Sequence, residues 1–308
     1  MGWYIWVLII VTILLIISII GGLFVAFKVA KPPRRSLLDT SVLEEELNPG
    51  IMDFYKKSLT KEYKIKTKDG LLLQAYFFEN NKKTNKYIVM PHGHTYTHHG
   101  MLKYAKMMIQ YGYNIVLYDQ RYHGNSEGKF TSLGYKEKDD LYEVITDTFN
   151  KYGSDIYLGT YGESMGSSTV LSEVQFDDRV KFVFSDCGFT ELSDLVGEFF
   201  KKMKYLPKWP IFYISSLFFR IITGSYYSGI SPYKAIKGVN VPIFFAHGEA
   251  DQYIDYKHTI KMYELYKGPK QLFIGKNDSF HAGSYCKDTE NYKKSVNEFV
   301  NKYLEKQK

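Results

Sequence analysis

Three residues far apart in the chain have the side-chain types, and sit in the contexts, that acyl-transfer chemistry requires. The first is Ser164, inside GTYGESMG (Gly159 to Gly166), where Gly162-Glu163-Ser164-Met165-Gly166 spells G-x-S-x-G. The pentapeptide directly follows a strand-like run, Ile156–Thr160, and directly precedes a helical pattern, Met165–Phe176. In that context it predicts a sharp strand-to-helix turn. Both flanks must be small, because side chains there would collide with the neighbouring strand and helix. The hydroxyl is then held out at the strand's end, beside a helix N-terminus that favours developing negative charge. The bland alternative is a glycine-rich turn with an ordinary capping serine.

A serine hydroxyl is a weak nucleophile at neutral pH and needs a general base, itself oriented by a carboxylate. With such a turn the partners follow in the order Ser, then Asp or Glu, then His. After the run Pro242–Ala246 comes HGEADQYI, which puts Asp251 in the loop at that strand's carboxyl end. After Gln271–Ile274 comes GKNDSFHAGSY, which puts His281 in the next such loop. Asp255 and Asp278 are rivals for the acid. The first falls in the following helix, and the second is close to His281 in sequence. Loops at the carboxyl ends of parallel strands share one edge, where ligands bind. Ser164, Asp251 and His281 are therefore the expected catalytic set.

The elements that must position them alternate. Tyr63–Thr67 and Leu71–Phe78, joined across Lys68-Asp69-Gly70, read as a hairpin. Short β-type runs follow at Tyr87–Met90, Asn114–Tyr118, Ile156–Thr160, Phe182–Ser185, Pro242–Ala246 and Gln271–Ile274. Helical patterns lie between them at Met101–Tyr111, Glu137–Tyr152, Met165–Phe176, Tyr256–Tyr266 and Asn291–Leu304. This order predicts an α/β fold: about eight strands, mostly parallel after an antiparallel start, with helices on both faces. Residues 190–237 break the alternation with helical, aromatic sequence and read as a helical cap over one end of the sheet. The alternative is a set of packed surface helices with no part in substrate binding.

The segments PHGH, DQRYHGNSEG, GESMG and HGEADQYI, with the late His281, resemble the α/β-hydrolase superfamily from about Tyr63 to Leu304. They are most similar to the bacterial membrane-anchored hydrolases of its serine-aminopeptidase-like (S33-type) branch. The resemblance implies Ser164 as nucleophile, His281 as base and Asp251 as orienting acid. It also implies an oxyanion hole made by the backbone N–H groups of His94 and Met165. Many relatives carry an aromatic residue where His94 stands; a main-chain donor tolerates the change, but this side chain would line the pocket. Arg121 and Asp119 are expected to brace the surrounding loops, and His123 and His247 to fix loop ends. No metal or organic cofactor is implied.

PHGHTYTHHG holds four of the chain's eight histidines, which raises zinc as a rival use. No acidic residue or cysteine lies within the stretch, and familiar ligand spacings are lacking. The imidazoles are expected to line the pocket and brace loops. The two cysteines, Cys187 and Cys286, cannot build a disulfide framework, and Cys187 is expected to be a small buried residue.

Trp3 to Phe27 contains no charged residue and is almost wholly apolar. At 1.5 Å per helical residue it can cross the roughly 30 Å hydrocarbon core of a bilayer. It is too long for a signal-peptide core, and lacks both a basic start and a good cleavage site. Lys28, Lys31, Arg34 and Arg35 follow directly, which by the positive-inside rule puts the rest of the chain in the cytoplasm. Beyond this flank stand 36 basic and 33 acidic residues, too mild an excess to suggest nucleic acid.

The expected organisation is an anchor over 1–30, a linker with a short acidic helix over 31–60, and a hydrolase domain over 61–308. The expected reaction is hydrolysis of carboxylic esters with lipid-derived or aromatic acyl groups, and Phe199, Trp209 and Phe212 of the cap are candidate substrate contacts. An aminopeptidase-like enzyme acting on short peptides is the alternative, with Glu191, Asp194 or Glu198 as the amine-binding acid. From another class, the chain could be a catalytically silent, membrane-anchored binding protein.

Overall fold

In the computed structural model, which describes residues 2–203, 207–276 and 278–305, the chain opens with three helices: α1 (Trp3–Ala30), α2 (Leu37–Leu47) and α3 (Ile51–Ser58). The hairpin β1 (Lys61–Lys66) and β2 (Leu72–Phe78) follows, then β3 (Lys86–Pro91), α4 (Leu102–Gln110), β4 (Asn114–Tyr118) and α5 (Glu137–Tyr152). Next come β5 (Tyr157–Glu163), α6 (Met165–Glu173), β6 (Val180–Asp186), α7 (Leu192–Lys202), α8 (Lys208–Thr223) and α9 (Pro232–Ala235). The chain closes with β7 (Ile243–Gly248), α10 (Lys257–Leu265), β8 (Lys270–Gly275), α11 (Ser284–Lys287) and α12 (Thr289–Phe299).

All eight expected strands form. They make one sheet in the order β1-β2-β4-β3-β5-β6-β7-β8. The β1–β2 and β2–β4 pairs are antiparallel, and every pair from β4 onward is parallel. Parallel strands buried on both faces need continuous apolar runs, which is why NIVLY of β4 and IFFAHG of β7 are buried throughout. One face packs against α3, α4 and α12 through Ile51, Met108 and Phe299. The other packs against α5, α6 and α10 through Val144, Val170 and Met262. The carboxyl ends of β3, β5, β6, β7 and β8 thus open on one edge.

Residues 31–60 are more than a linker. The first of them are pinned to the domain: the Arg35 amide donates to the Thr95 carbonyl at 3.0 Å, and the Tyr122 hydroxyl donates to the Pro32 carbonyl at 3.0 Å. Ser36 then starts α2 with a capping box, its hydroxyl accepting from the Asp39 amide while the Asp39 carboxylate accepts from the Ser36 amide. A second helix, α3, packs beside β2, with Phe54 stacked on Phe78.

The C-terminal half of α1 is docked too. Ser18, Gly22, Ala26 and Ala30 recur every fourth residue and are buried. Such a stripe of small residues lets two helices approach closely, and α8 lies against it. A Cβ on Gly22 would stand 2.5 Å from the Ile214 side chain and 3.1 Å from the Ser215 backbone nitrogen. Val25, Ala26 and Ala30 join Leu195, Phe200 and Phe219 of the cap in one apolar cluster. Gly22→Leu should therefore lower stability by about 1–3 kcal/mol, the range for overpacking a close contact, read as a lowered Tm of the detergent-solubilised protein.

Candidate active site

The turn between β5 and α6 has the shape its glycines require. Ser164 sits at φ 55° and ψ −112°, a region costly for a residue with a side chain. Its amide donates to the Asp186 carbonyl at the end of β6 at 2.9 Å. A Cβ on Gly162 would run into the Gly166 carbonyl, and one on Gly166 into the Pro91 carbonyl at the end of β3. The α6 helix can therefore start against β3 only because these two positions have no side chain.

Ser164 Oγ lies 3.0 Å from His281 Nε2, and His281 Nδ1 lies 2.7 Å from Asp251 Oδ2. An ionised carboxylate only accepts, so His281 carries its proton on Nδ1 and Nε2 is free to accept from the Ser164 hydroxyl. Asp251 accepts further from the amides of Tyr253 (2.7 Å) and Ile254 (2.9 Å) and from His247 Nε2 (3.1 Å). Burial pushes the Asp251 carboxyl up, but the bonds from His247 and His281 outweigh it and hold it well below the usual carboxylate range. The structure thus brings the three expected residues together from the ends of β5, β7 and β8. The rivals are elsewhere: Asp255 caps α10 by accepting from the Lys257 amide, and Asp278 is exposed.

The loop after β3 closes the other side of Ser164. A Cβ on Gly93 would be 3.5 Å from Ser164 Cβ, so the His94 backbone follows immediately beside the serine. Met165 is the first residue of α6, whose amide has no intrahelical acceptor. Histidines brace this loop. His92 Nε2 accepts from the Gln120 amide at 3.0 Å, and His123 Nε2 accepts from the Thr95 amide at 3.1 Å. Burial pushes His92 down to about 4 and His94 and His123 down to about 3, so all three stay neutral near pH 7. His94 borders the cavity, and its ring stands edge-on to His123 with centroids 6.0 Å apart.

That cavity, of about 540 Å³, is lined around Ser164 and His281 by Leu43 and Leu47 of α2 and by Tyr96, Tyr253 and Phe280, with Arg35 beside them. The expected cap contacts are not there. Phe199 rests on Tyr253 from behind (ring centroids 5.0 Å), Phe212 packs between Phe200 and Tyr227, and Trp209 is 75% exposed. The cap spends its aromatic residues on α1, while α2 covers the site. The acids of the cap are also turned away. Glu191 pairs with Lys234 at 2.9 Å, Glu198 with His258 at 3.2 Å, and Asp194 accepts from the Thr190 hydroxyl.

Sequence reasoning missed the polar floor. Lys103 Nζ and Glu163 Oε2 are 2.6 Å apart and buried. The Tyr104 hydroxyl bridges Glu163 and Asp186, at 3.0 Å from each, and Glu44 of α2 accepts from the Tyr96 hydroxyl at 2.9 Å. Burial works against the Lys103 ammonium, but the Glu163 carboxylate holds it well above the ordinary lysine value. Glu163 stands inside G-x-S-x-G and could have drawn notice; Lys103 and Glu44 carry no local signal.

Residues 58–200 match the family model described as X-Pro dipeptidyl-peptidase (S15 family). The chain is 31% identical over 266 residues to YqkD of Bacillus subtilis, covering 85% of this chain and 87% of that protein. The chain belongs to the α/β-hydrolase superfamily. The matched model is that of the S15 branch, and the serine-aminopeptidase-like branch stays a resemblance. The hydrolase also shares its fold with the Pyrococcus furiosus esterase Pf2001 (TM-score 0.66, 22% identity, 80% of this chain and 92% of that one). The acylaminoacyl peptidase of Pyrococcus horikoshii is a further fold neighbour (TM-score 0.61, 18% identity, 85% of this chain and 44% of that one).

Around the site, the DQRYHGNSEG loop of the hydrolase acts as a clamp. Arg121 holds Asp140 of α5 with two bonds of 2.6 Å and reaches Asp69 in the β1–β2 turn at 3.1 Å. Asp119 accepts from the His98 amide and ring (2.9 Å each), the Tyr76 hydroxyl (3.1 Å) and the Asn125 amide (2.9 Å). Burial alone would raise the Asp119 carboxyl, but His98, His92 and the Asn125 amide hold it well below the usual range. A depressed carboxyl stabilises the fold above its unfolded pKa near 4, and that stability is lost as pH falls. Asp119→Ala should cost about 3 kcal/mol at pH 7. The loss should shrink below about pH 4, as measured by denaturant unfolding at several pH values.

Proposed function

We propose that the hydrolase cleaves carboxylic esters through an acyl-enzyme, with Ser164 as nucleophile, His281 as base and Asp251 as orienting acid. The observation that carries this reading is the unbroken relay from Ser164 through His281 to Asp251, set in a cavity where Leu43, Leu47, Tyr253 and Phe280 face it with apolar surface. Ser164 Oγ attacks the ester carbonyl while His281 Nε2 takes its proton. The oxyanion meets the amides of His94 and Met165. Collapse expels the alcohol, protonated by His281, and leaves an acyl-Ser164. Water then attacks with His281 again as base, releasing the acid and restoring Ser164.

The cavity supports an ester substrate over an amino-terminal peptide. A peptide amine would need a free carboxylate. Of those at the cavity, Glu163 is paired with Lys103, and Glu44 is bonded to Tyr96 and Asn48. Leu43, Leu47, Tyr253 and Phe280 offer apolar surface to an acyl chain or aromatic acyl group. A purely binding role would have no use for a hydrogen-bonded Ser-His-Asp relay.

The helix α1 is long and apolar enough to cross a membrane. We read it as a single-span anchor with the hydrolase domain on the cytoplasmic side, supported by Lys28, Lys31, Arg34 and Arg35 at its C-terminal end. Proximity to lipid makes lipid-derived esters the favoured substrates. Protease added to intact cells should leave the domain intact; digestion from outside would reverse the orientation.

A fluorophosphonate probe should label the wild type and spare Ser164→Ala. Asp251→Asn should reduce kcat/KM by about 10⁴-fold, as expected when the base loses its orienting charge. A series of p-nitrophenyl esters run beside amino-acid p-nitroanilides should show turnover of the esters. Unlabelled wild type would end the serine-hydrolase mechanism, and preferred cleavage of the anilides would end the ester reading.

A further inference from the structure

The cap helix α8 has two apolar faces, and only one is used. Ile211, Ser215, Phe219 and Thr223, each four residues from the last, are buried toward α1 and the domain. Two positions along, Tyr213, Leu217 and Ile221 form a second winding stripe that is 62%, 46% and 70% exposed, and Trp209, in the non-helical kink that precedes it (φ −95°, ψ 132°), is 75% exposed. α8 carries no acidic residue. An exposed aromatic and aliphatic stripe of this length on a water-facing helix is unfavourable unless something covers it.

Its position says what covers it. From Trp3 to Gly22, α1 spans about 30 Å at 1.5 Å per residue, the thickness of the hydrocarbon core. α8 packs along the Ser18–Ala30 stripe of α1, with Ile211 against Gly21 and Ile214 against Gly22. The contact thus begins near the end of the Trp3–Gly22 span, where α1 leaves the hydrocarbon. Lys28 and Lys31 of the anchor, with Lys201, Lys202 and Lys208 of the cap, are exposed around it, as suits anionic headgroups. Trp and Tyr are the residues that collect at that depth. The contact is fixed, because the Ala30 carbonyl at the end of α1 accepts from the Thr131 amide of the domain at 2.8 Å.

We propose that α8 is a second membrane element, held in the bilayer interface beside α1 with Trp209 and the Tyr213–Ile221 stripe in the acyl-chain boundary. The active-site edge is thereby seated on the bilayer, and ester substrates dissolved in lipid reach Ser164 without crossing water. The proposal rests on the reading of α1 as a membrane span, and its delivery half also on the ester-hydrolase reading.

The chain has three tryptophans, Trp3, Trp6 and Trp209, so the full-length Trp3→Phe/Trp6→Phe variant reports on Trp209 alone. In nanodiscs of phosphatidylcholine and phosphatidylglycerol, Trp209 emission should be blue-shifted, quenched at least twofold by brominated phosphatidylcholine, and insensitive to iodide. Quenching by iodide without quenching by brominated lipid would overturn the docking. In a second arm, Leu217→Asp/Ile221→Asp should lower kcat/KM at least tenfold on a diacylglycerol carried in the nanodisc. Turnover of p-nitrophenyl acetate should stay unchanged, which also shows that the variant is folded. Equal values for variant and wild type on both esters would overturn lipid-phase delivery. If the wild type cleaves neither ester, the catalytic reading falls and takes delivery with it, while the fluorescence result decides docking alone.

Discussion

The site depends on one close approach, that of the start of α6 to the end of β3. Gly166 touches the Pro91 carbonyl with no room for a Cβ, and Gly162 does the same to Gly166. This contact forces Ser164 into its positive-φ conformation and lifts the hydroxyl out of the sheet. It also sets the distance between the Met165 amide and the loop that carries His94, because that loop begins where β3 ends. A single packing constraint thus positions the serine and both proposed oxyanion donors. The strain at Ser164 is sustained by the surrounding order: the amide bond to Asp186, the helix that begins at Met165, and the parallel strands on either side.

Around that contact the polar side chains form two brackets. Below the serine, the buried side chains of Lys103, Glu163, Tyr104, Asp186, Ser284 and Tyr292 are joined by an ion pair and hydrogen bonds of 2.6–3.0 Å. In a low-dielectric interior such a network is stiff when every member is satisfied and expensive when one is lost. Beside the serine, His92, His98 and His123 tie the β3 loop to the β4 loop through Gln120, Asp119 and Thr95. The histidine-rich stretch is thus explained by loop geometry. His92 holds the Gln120 amide, His98 the Asp119 carboxylate and His99 the Thr40 hydroxyl, and the histidine that reaches Ser164 is His281, which arrives from the other end of the chain.

The parts that were legible in the sequence are those governed by local rules. Strands were readable because parallel pairing demands apolar runs such as NIVLY and IFFAHG. The serine was readable because its turn admits only glycine at two fixed positions. Asp251 and His281 could be placed because each follows a readable strand in a fixed order. Pocket lining was not readable, since it depends on which distant segment folds over the edge. α2 has mixed faces and a short span, and nothing in LLDTSVLEEEL announces that Leu43, Glu44 and Leu47 will cover Ser164. The cap aromatics misled for a related reason: apolar residues in a helix say that something covers them, but not what.

What covers them is in large part α1, and this bears on its proposed role as an anchor. A span tethered by a loose linker would leave the domain free to tumble above the membrane. Here the small-residue stripe of α1 is locked to α8, Ala30 is bonded to Thr131, and Arg35 to Thr95 within the oxyanion loop. α1 is thus tied to the domain by packed side chains and by backbone bonds, one of which reaches the loop beside Ser164. The orientation of α1 in a bilayer therefore fixes the orientation of the active-site edge. A substrate that partitions into lipid would meet that edge at a fixed height and angle, whereas a water-soluble one gains nothing from the arrangement.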